Sequence, residues 1–414
     1  MTTEARAVPL AAYSLMAGVI SAAGLPIYIY APKYFADNFG VSLTTLGSVL
    51  FFLRLFDVIQ DPILGWISER IGKWRPLAFS LGGFLLAISM IGLFSSNPLL
   101  TPLLWFALTI SGLFSAFSFL SINFYAFGIA ASERLSGGHF RLAAWRESGA
   151  LIGICIAAIA PALLVNFSAA PFQIFSWCFA ALAVVAILAF RKEAGRRSNI
   201  KSDPTSIRTV ILDRPSRSLL ILALINAMPL AVSSTLFLFF VESKLMARGW
   251  EGPLLVLFFL AAAVSAPMWS AIAGRIGVRR ALMAAMILAI LSFGSAYFLS
   301  AGDLILFTLI CLASGASIGA DLTLLPALFA KRMSEISPNG SQGFGLWSFS
   351  SKLTLAIAAV TVLPILEASG FSTDAEQQTA FSLDILSMLY ALVPISLKVI
   401  AIGVLVSIPR EQIS

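Results

Sequence analysis

Three ionisable side chains and an amide crowd into a stretch otherwise apolar enough to cross a bilayer: Arg54-Leu-Phe-Asp57-Val-Ile-Gln60-Asp61-Pro62. On a helix, positions i, i+3 and i+7 share one face, so Arg54, Asp57 and Asp61 project together. At about 1.5 Å rise per residue, the two carboxylates are separated by about 6 Å along the axis. Each ionised carboxylate at mid-membrane costs roughly 2.5–3.5 kcal/mol. Two within about one turn require a cation, a shared proton or paired bases. With Gln60 adjacent, Asp57 and Asp61 supply several hard oxygen donors, which suits Na⁺ or Li⁺. The alternative is a proton held between two repelling acids, which makes the pair a proton carrier.

The rest of the composition says what must position these groups. Of 414 residues, 59% are hydrophobic and 11% charged, and the mean hydropathy is +0.94. A soluble domain of this composition would have no water-facing cover, so an integral membrane protein in the lipid bilayer is expected. The apolar runs are too long for barrel strands, which would alternate over about ten residues, and an all-α fold follows. Twelve spans are expected, near residues 8–36, 41–67, 76–96, 101–131, 141–166, 171–190, 217–243, 252–274, 279–301, 303–330, 342–369 and 384–408. Cys155, Cys178 and Cys311 lie in apolar runs without disulfide or metal spacing and are expected to be small core residues. Met1 to Ala7 is too short and polar to carry a cleavable signal.

Positive charge sets the orientation. With both termini cytoplasmic, the inside loops hold Arg70, Lys73, Arg75, Arg134, Arg141, Arg146, Arg275, Arg279, Arg280, Lys331 and Arg332, while the outside loops offer Lys33, Lys244 and Arg248. That asymmetry is the positive-inside pattern, and a bacterial inner membrane is the expected location. It also accounts for the net charge of +7 without nucleic acid. A basic stretch over 191–217 separates two six-helix bundles, 1–190 and 218–414, and reads as a solvated cytoplasmic linker.

The halves repeat. Gly65-Trp-Ile-Ser-Glu69-Arg70-Ile-Gly72-Lys73-Trp-Arg75 aligns with Ser270-Ala-Ile-Ala-Gly274-Arg275-Ile-Gly277-Val-Arg279-Arg280, and Pro62 aligns with Pro267. Parallel six-helix halves are the architecture of major facilitator transporters. The first loop resembles the major facilitator signature between spans two and three, with Glu69 where aspartate is usual. That resemblance gives Gly65, Glu69, Arg70, Gly72 and Arg75 a part in conformational gating on the cytoplasmic side. The same alignment puts Ala262 and Ala266 opposite Asp57 and Asp61. The scaffold therefore repeats without the carboxylates, which marks them as chemical.

Residues 34–76 resemble the glycoside–pentoside–hexuronide:cation symporter family, the melibiose-permease type. The string Arg54-x-x-Asp57-x-x-x-Asp61-Pro62-x-x-Gly65-Trp66 carries the likeness. Arg141 with Trp145-Arg146-Glu147, and Gly343-x-Gly345 leading to Lys352, extend it. The resemblance implies that Asp57 and Asp61 bind the coupling Na⁺, Li⁺ or H⁺ and that Lys352 lies near them. It implies a symporter of a small organic solute, sugar- or glycoside-like, with no cofactor besides the coupling ion, and a monomer is expected.

The departures concern the solute. Melibiose-type members grip sugar hydroxyls with aspartates in the first and fourth spans. Here Ser21 and Asn123 stand near those positions, and neither supplies a charge-assisted grip. The wider fold includes lysolipid carriers, so an amphiphile is an alternative solute, and proton-coupled export an alternative mode. Further substrate candidates are Tyr28 near the outer end of span one, Tyr125 in span four, and Asp321 in span ten. Trp145 and Trp347 open spans five and eleven at comparable repeat positions, which suits scaffold as well as substrate contact. Lys398 is expected to snorkel or to pair with an acid from a neighbouring helix. One loop histidine, His139, with no metal-ligand cluster and no phosphate-binding glycine loop, leaves little enzyme chemistry.

Overall fold

A computed structural model of the chain describes residues 8–24, 30–94, 97–165, 167–196, 206–371 and 379–409. The described residues form helices and connecting turns. In chain order these are α1 (Leu10–Ala22), α2 (Ala31–Phe39), α3 (Leu43–Arg70), α4 (Arg75–Leu93), α5 (Pro102–Ser132), α6 (Gly138–Leu164) and α7 (Pro171–Arg196). There follow α8 (Ile207–Leu212), α9 (Arg214–Phe239), α10 (Glu251–Ile276), α11 (Val278–Ala296), α12 (Leu304–Ile336), α13 (Ser341–Ala368) and α14 (Ala380–Ser407). Ten helices among the described residues are long and apolar enough to cross a membrane, and they match ten of the expected spans. The second span is α3, whose charged face sets it apart in composition. The first expected span comprises α1 and α2; residues 25–29, and with them Tyr28, lie outside the described residues.

Local chemistry explains the boundaries. Ser42 caps α3, its hydroxyl accepting from the Thr45 amide at 3.2 Å, and α2 ends on Gly40 at φ +66°, a left-handed position that suits glycine. Asp213 caps α9 by accepting from the Ser216 amide at 2.9 Å. The basic stretch after the sixth span is partly helical, because α7 continues to Arg196 and α8 precedes the Asp213 cap.

The chain divides into two compact units, Met1–Leu212 with Ala330–Phe349, and Asp213–Phe329 with Ser350–Ser414. The first turns of α13 thus belong with the first unit. In that unit Tyr13 meets Phe190 edge-on at 4.8 Å, and a Cβ on Gly149 would strike the Ser14 carbonyl, so α1 and α6 pack backbone to backbone. In the second unit Phe240 stacks on Tyr390 at 4.2 Å.

The repeat can be followed into each unit. In the first, Asp57 and Gln60 of α3 face serines of α5. In the second, Ala262 and Ala266 of α10 are fully buried, and α10 meets α12 through small residues. A Cβ on Gly319 would lie 2.7 Å from the Ala262 carbonyl and would also strike Ser265 Oγ. Ser265 itself donates to the Ala316 carbonyl at 2.9 Å. The scaffold that holds α3 on α5 with hydrogen bonds holds α10 on α12 by close approach. Gly319→Ala is expected to cost about 1–3 kcal/mol, the range for overpacking, read as a lowered unfolding temperature in detergent. Gly294→Ala, where the methyl would meet only Ile395 Cδ1 at 3.7 Å, should leave that temperature unchanged.

Candidate functional site

The polar face of α3 is built into the first unit rather than exposed. Asp57 is 2% and Asp61 0% exposed. Asp57 Oδ1 accepts from Gln60 Nε2 at 2.7 Å and from Ser118 Oγ of α5 at 3.0 Å. Gln60 Oε1 accepts from Ser115 Oγ, also on α5, at 3.0 Å. Asp61 Oδ2 accepts from Ser348 Oγ of α13 at 2.5 Å. Six side chains on three helices thus bring carboxylate, amide and hydroxyl oxygens into one buried neighbourhood. That donor set suits a small hard cation or a proton. Arg54 is half-buried on α3. Lys352 is buried on α13, one turn beyond Ser348 on the same helix face.

Below Asp61, α3 and α13 cross closely. A Cβ on Gly345 would lie 2.9 Å from the Asp61 carbonyl, and one on Gly65 would lie 2.7 Å from the Ser341 carbonyl. Glycine at both positions permits the crossing. Glu69, one turn past Gly65, then closes on the first turn of α13. Its Oε1 accepts from the Gln342 amide at 3.1 Å and its Oε2 from Gln342 Nε2 at 3.2 Å. A carboxylate there satisfies an amide that has no partner within its own helix and complements the helix dipole. Arg75 reaches the same turn through Ser341 Oγ and the Asn339 carbonyl at 3.4 Å. Arg70 lies over the Trp66 ring at 4.0 Å, and Gly72 takes φ +47°, turning the chain toward α4.

Asn123 belongs to this second cluster. Its Oδ1 accepts from Arg75 Nε and from Ser68 Oγ, both at 2.5 Å, and its Nδ2 donates to the Phe119 carbonyl at 2.7 Å. Its amide is therefore engaged where α3, α4 and α5 meet. A third cluster lies between α5 and α6. Tyr125 donates to Glu147 Oε1 at 2.9 Å, which also accepts from Arg146 Nε at 2.8 Å. The Arg146 guanidinium lies 3.7 Å from the Tyr125 ring centre, and Tyr125 packs on Phe344 of α13 at 5.1 Å. Arg146 Nη2 is buried without a hydrogen-bond partner among the described residues.

The remaining expected residues are dispersed. Ser21 is half-buried in the last turn of α1, and Trp347 is half-buried on α13. Trp145 is 45% exposed, as an aromatic residue at a lipid-facing surface would be. Asp321, which reads as unpaired in sequence, is bonded in the second unit to Lys398 at 2.6 Å. Ser115, Ser118 and Ser348 are partners the sequence does not flag. Helical serines commonly bond to their own helix, as Ser111 does to the Ala107 carbonyl at 2.7 Å, so spacing alone does not reveal which ones cross.

The family described as MFS/sugar transport protein matches residues 11–411. An uncharacterized symporter, YjmB of Bacillus subtilis, is 25% identical over 236 residues, 52% of this chain and 51% of that one. The raffinose permease of Escherichia coli is 32% identical over 90 residues, 22% of this chain and 21% of that one. The chain therefore aligns with about half and about a fifth of these relatives' lengths. Among solved structures, a bacterial homologue of the iron transporter ferroportin in an outward-facing state has a TM-score of 0.70 at 13% identity, covering 96% of this chain and 100% of that one. The same kind of homologue with soaked iron gives 0.64 at 14% identity, covering 95% and 99%. At that identity the likeness establishes the fold alone.

The Glu69 contact has a direct readout. Glu69→Gln removes the charge that holds the first amides of α13, so hydrogen exchange over residues 341–345 should accelerate at least threefold while α11 stays unchanged. Unaltered exchange at 341–345 would contradict the capping role.

Proposed function

Because the chain belongs to the MFS/sugar transport family, we propose that it is a cation-coupled symporter carrying a small, neutral, sugar- or glycoside-like solute by alternating access. The observation that carries this reading is the burial of Asp57 and Asp61 among the oxygens of Gln60, Ser115, Ser118 and Ser348. Na⁺, Li⁺ or H⁺ enters that neighbourhood as cargo and removes the cost of a bare charge at mid-membrane. Arg54, three residues before Asp57 on the same helix face, supplies balancing positive charge. Asp61 shares Ser348 with α13, so filling the cation site changes what holds α3 to α13. The cation and the solute then favour the same conformations, and coupling between them is reciprocal.

Gating falls to the Gly65–Arg75 segment, whose Glu69 and Arg75 fasten the start of α13 and must release it once per cycle. Tyr125, Arg146 and Glu147 supply the hydrogen-bonding groups nearest to a solute grip in the first unit. On this reading both termini and the Glu69 cluster are cytoplasmic, supported by the positive-inside pattern, and the membrane is a bacterial inner membrane. The two relatives, one a symporter and one a raffinose permease by name, support solute import.

The test is uptake into proteoliposomes of a labelled panel of neutral saccharides and glycosides, each under inward Na⁺, Li⁺ or H⁺ gradients. At least one pairing should give accumulation against a gradient. Asp57→Asn and Asp61→Asn should each lower that accumulation by a hundredfold or more while their membrane levels stay normal. Undiminished accumulation in either variant would sink the coupling assignment, and proton-driven extrusion in place of uptake would reverse the direction.

A further inference from the structure

A second buried charge cluster, in the second unit, is not used by the cation site. Asp321 lies near the middle of α12, Asn226 near the middle of α9, and Lys398 just past the middle of α14. Lys398 Nζ donates to Asp321 Oδ2 at 2.6 Å, to Asn226 Oδ1 at 2.6 Å and to the Asn226 carbonyl at 3.4 Å. These contacts occupy all three donors of the ammonium. Lys398 is 1% and Asp321 7% exposed. The carboxylate is only half engaged, because Asp321 Oδ1 is buried with no hydrogen-bond partner among the described residues.

A pair kept only to tie helices together would be expected to satisfy both oxygens, since an ungratified carboxylate oxygen in a membrane interior is a heavy penalty. The charge balance defines what Oδ1 is suited to meet. Lys398 already neutralises Asp321, so a metal cation would leave the cluster with an excess positive charge. A neutral hydrogen-bond donor adds no charge, and a hydroxyl on an ionised carboxylate forms a short, charge-assisted bond. The first unit offers no such acceptor where the family resemblance expects one. Ser21 carries no charge, and Asn123 spends its amide on Ser68, Arg75 and Phe119.

We infer that Asp321 Oδ1 accepts a hydroxyl of the transported solute, with Lys398 as the positioning residue that holds the carboxylate by its other oxygen. This rests on the sugar-like reading of the solute and narrows it. The solute must present at least one hydroxyl to α12, and an amphiphile held by its hydrocarbon alone would not use the site.

The test uses the full-length protein in lipid nanodiscs, with glucose, galactose, raffinose and methyl galactoside as probes and tryptophan fluorescence as the binding readout. Asp321→Asn combined with Lys398→Met removes both charges, so no unpaired ion is left buried and the fold should persist. The double variant is expected to unfold at the wild-type temperature yet bind the responding saccharide at least tenfold more weakly. Of the monodeoxy analogues of that saccharide, one should lose tenfold in the wild type and nothing in the double variant. Asp321→Glu provides a second test if the double variant fails to fold. It retains the pair but displaces the oxygens, and should weaken binding tenfold without lowering the unfolding temperature. Wild-type affinity in either folded variant would overturn the inference and make the pair a helix tie, with Oδ1 met by water. If the wild type itself bound none of the probes, the sugar-like solute would fall first, and this inference with it.

Discussion

Two carboxylates held at 2% and 0% exposure on one helix face impose the constraint around which the first unit is built. In a low-dielectric interior a lone carboxylate is tolerated only if its oxygens are met by donors or by positive charge. The protein meets Asp57 with an amide from its own helix and a hydroxyl from α5, and Asp61 with a hydroxyl from α13. The glycines at 65 and 345 bring the α13 backbone close enough for that hydroxyl to reach. Electrostatics at Asp61 and helix contact at Gly345 are thus one arrangement, and whatever changes the charge at Asp61 acts on the α3–α13 crossing.

The second unit shows what the same scaffold does without that constraint. Ala262 and Ala266 occupy the places of the acids, and α10 meets α12 through Gly319 and Ser265. Asp321 on α12 and Lys398 on α14 are buried there as a pair shared with Asn226. The first half gathers two buried carboxylates on one helix face. The second holds a neutral pair with one acceptor to spare.

Much of this was legible in the sequence, for physical reasons that differ between features. Helix positions followed from apolar length, and the caps the structure adds, Ser42 and Asp213, act within a few residues. The acids announced themselves because charges in an apolar run need a partner or a ligand, whether an ion network with Arg54 or a bound cation. Their partners did not. Ser115, Ser118 and Ser348 lie 55, 61 and 287 residues from the groups they bond, and a serine in a helix looks the same whether it turns outward or back to its own carbonyls. The Lys398–Asp321 pair was hidden by its separation of 77 residues, although the need of Lys398 for some acid was readable. Asn123 was expected beside a solute from the family resemblance, and its engagement with Arg75 and Ser68 emerged only once α3, α4 and α5 were assembled.

In the proposed cycle the α3 carboxylates themselves take up the driving cation. This uptake is tested most directly by recording charge displacement from the protein reconstituted on a solid-supported membrane, with cation jumps applied in the absence of any organic solute. A saturable transient current in response to Na⁺, Li⁺ or H⁺, abolished when Asp57 and Asp61 are both replaced by asparagine, is the predicted result. A transient of the same size in the doubly substituted protein would show that the cation binds elsewhere and would contradict the account.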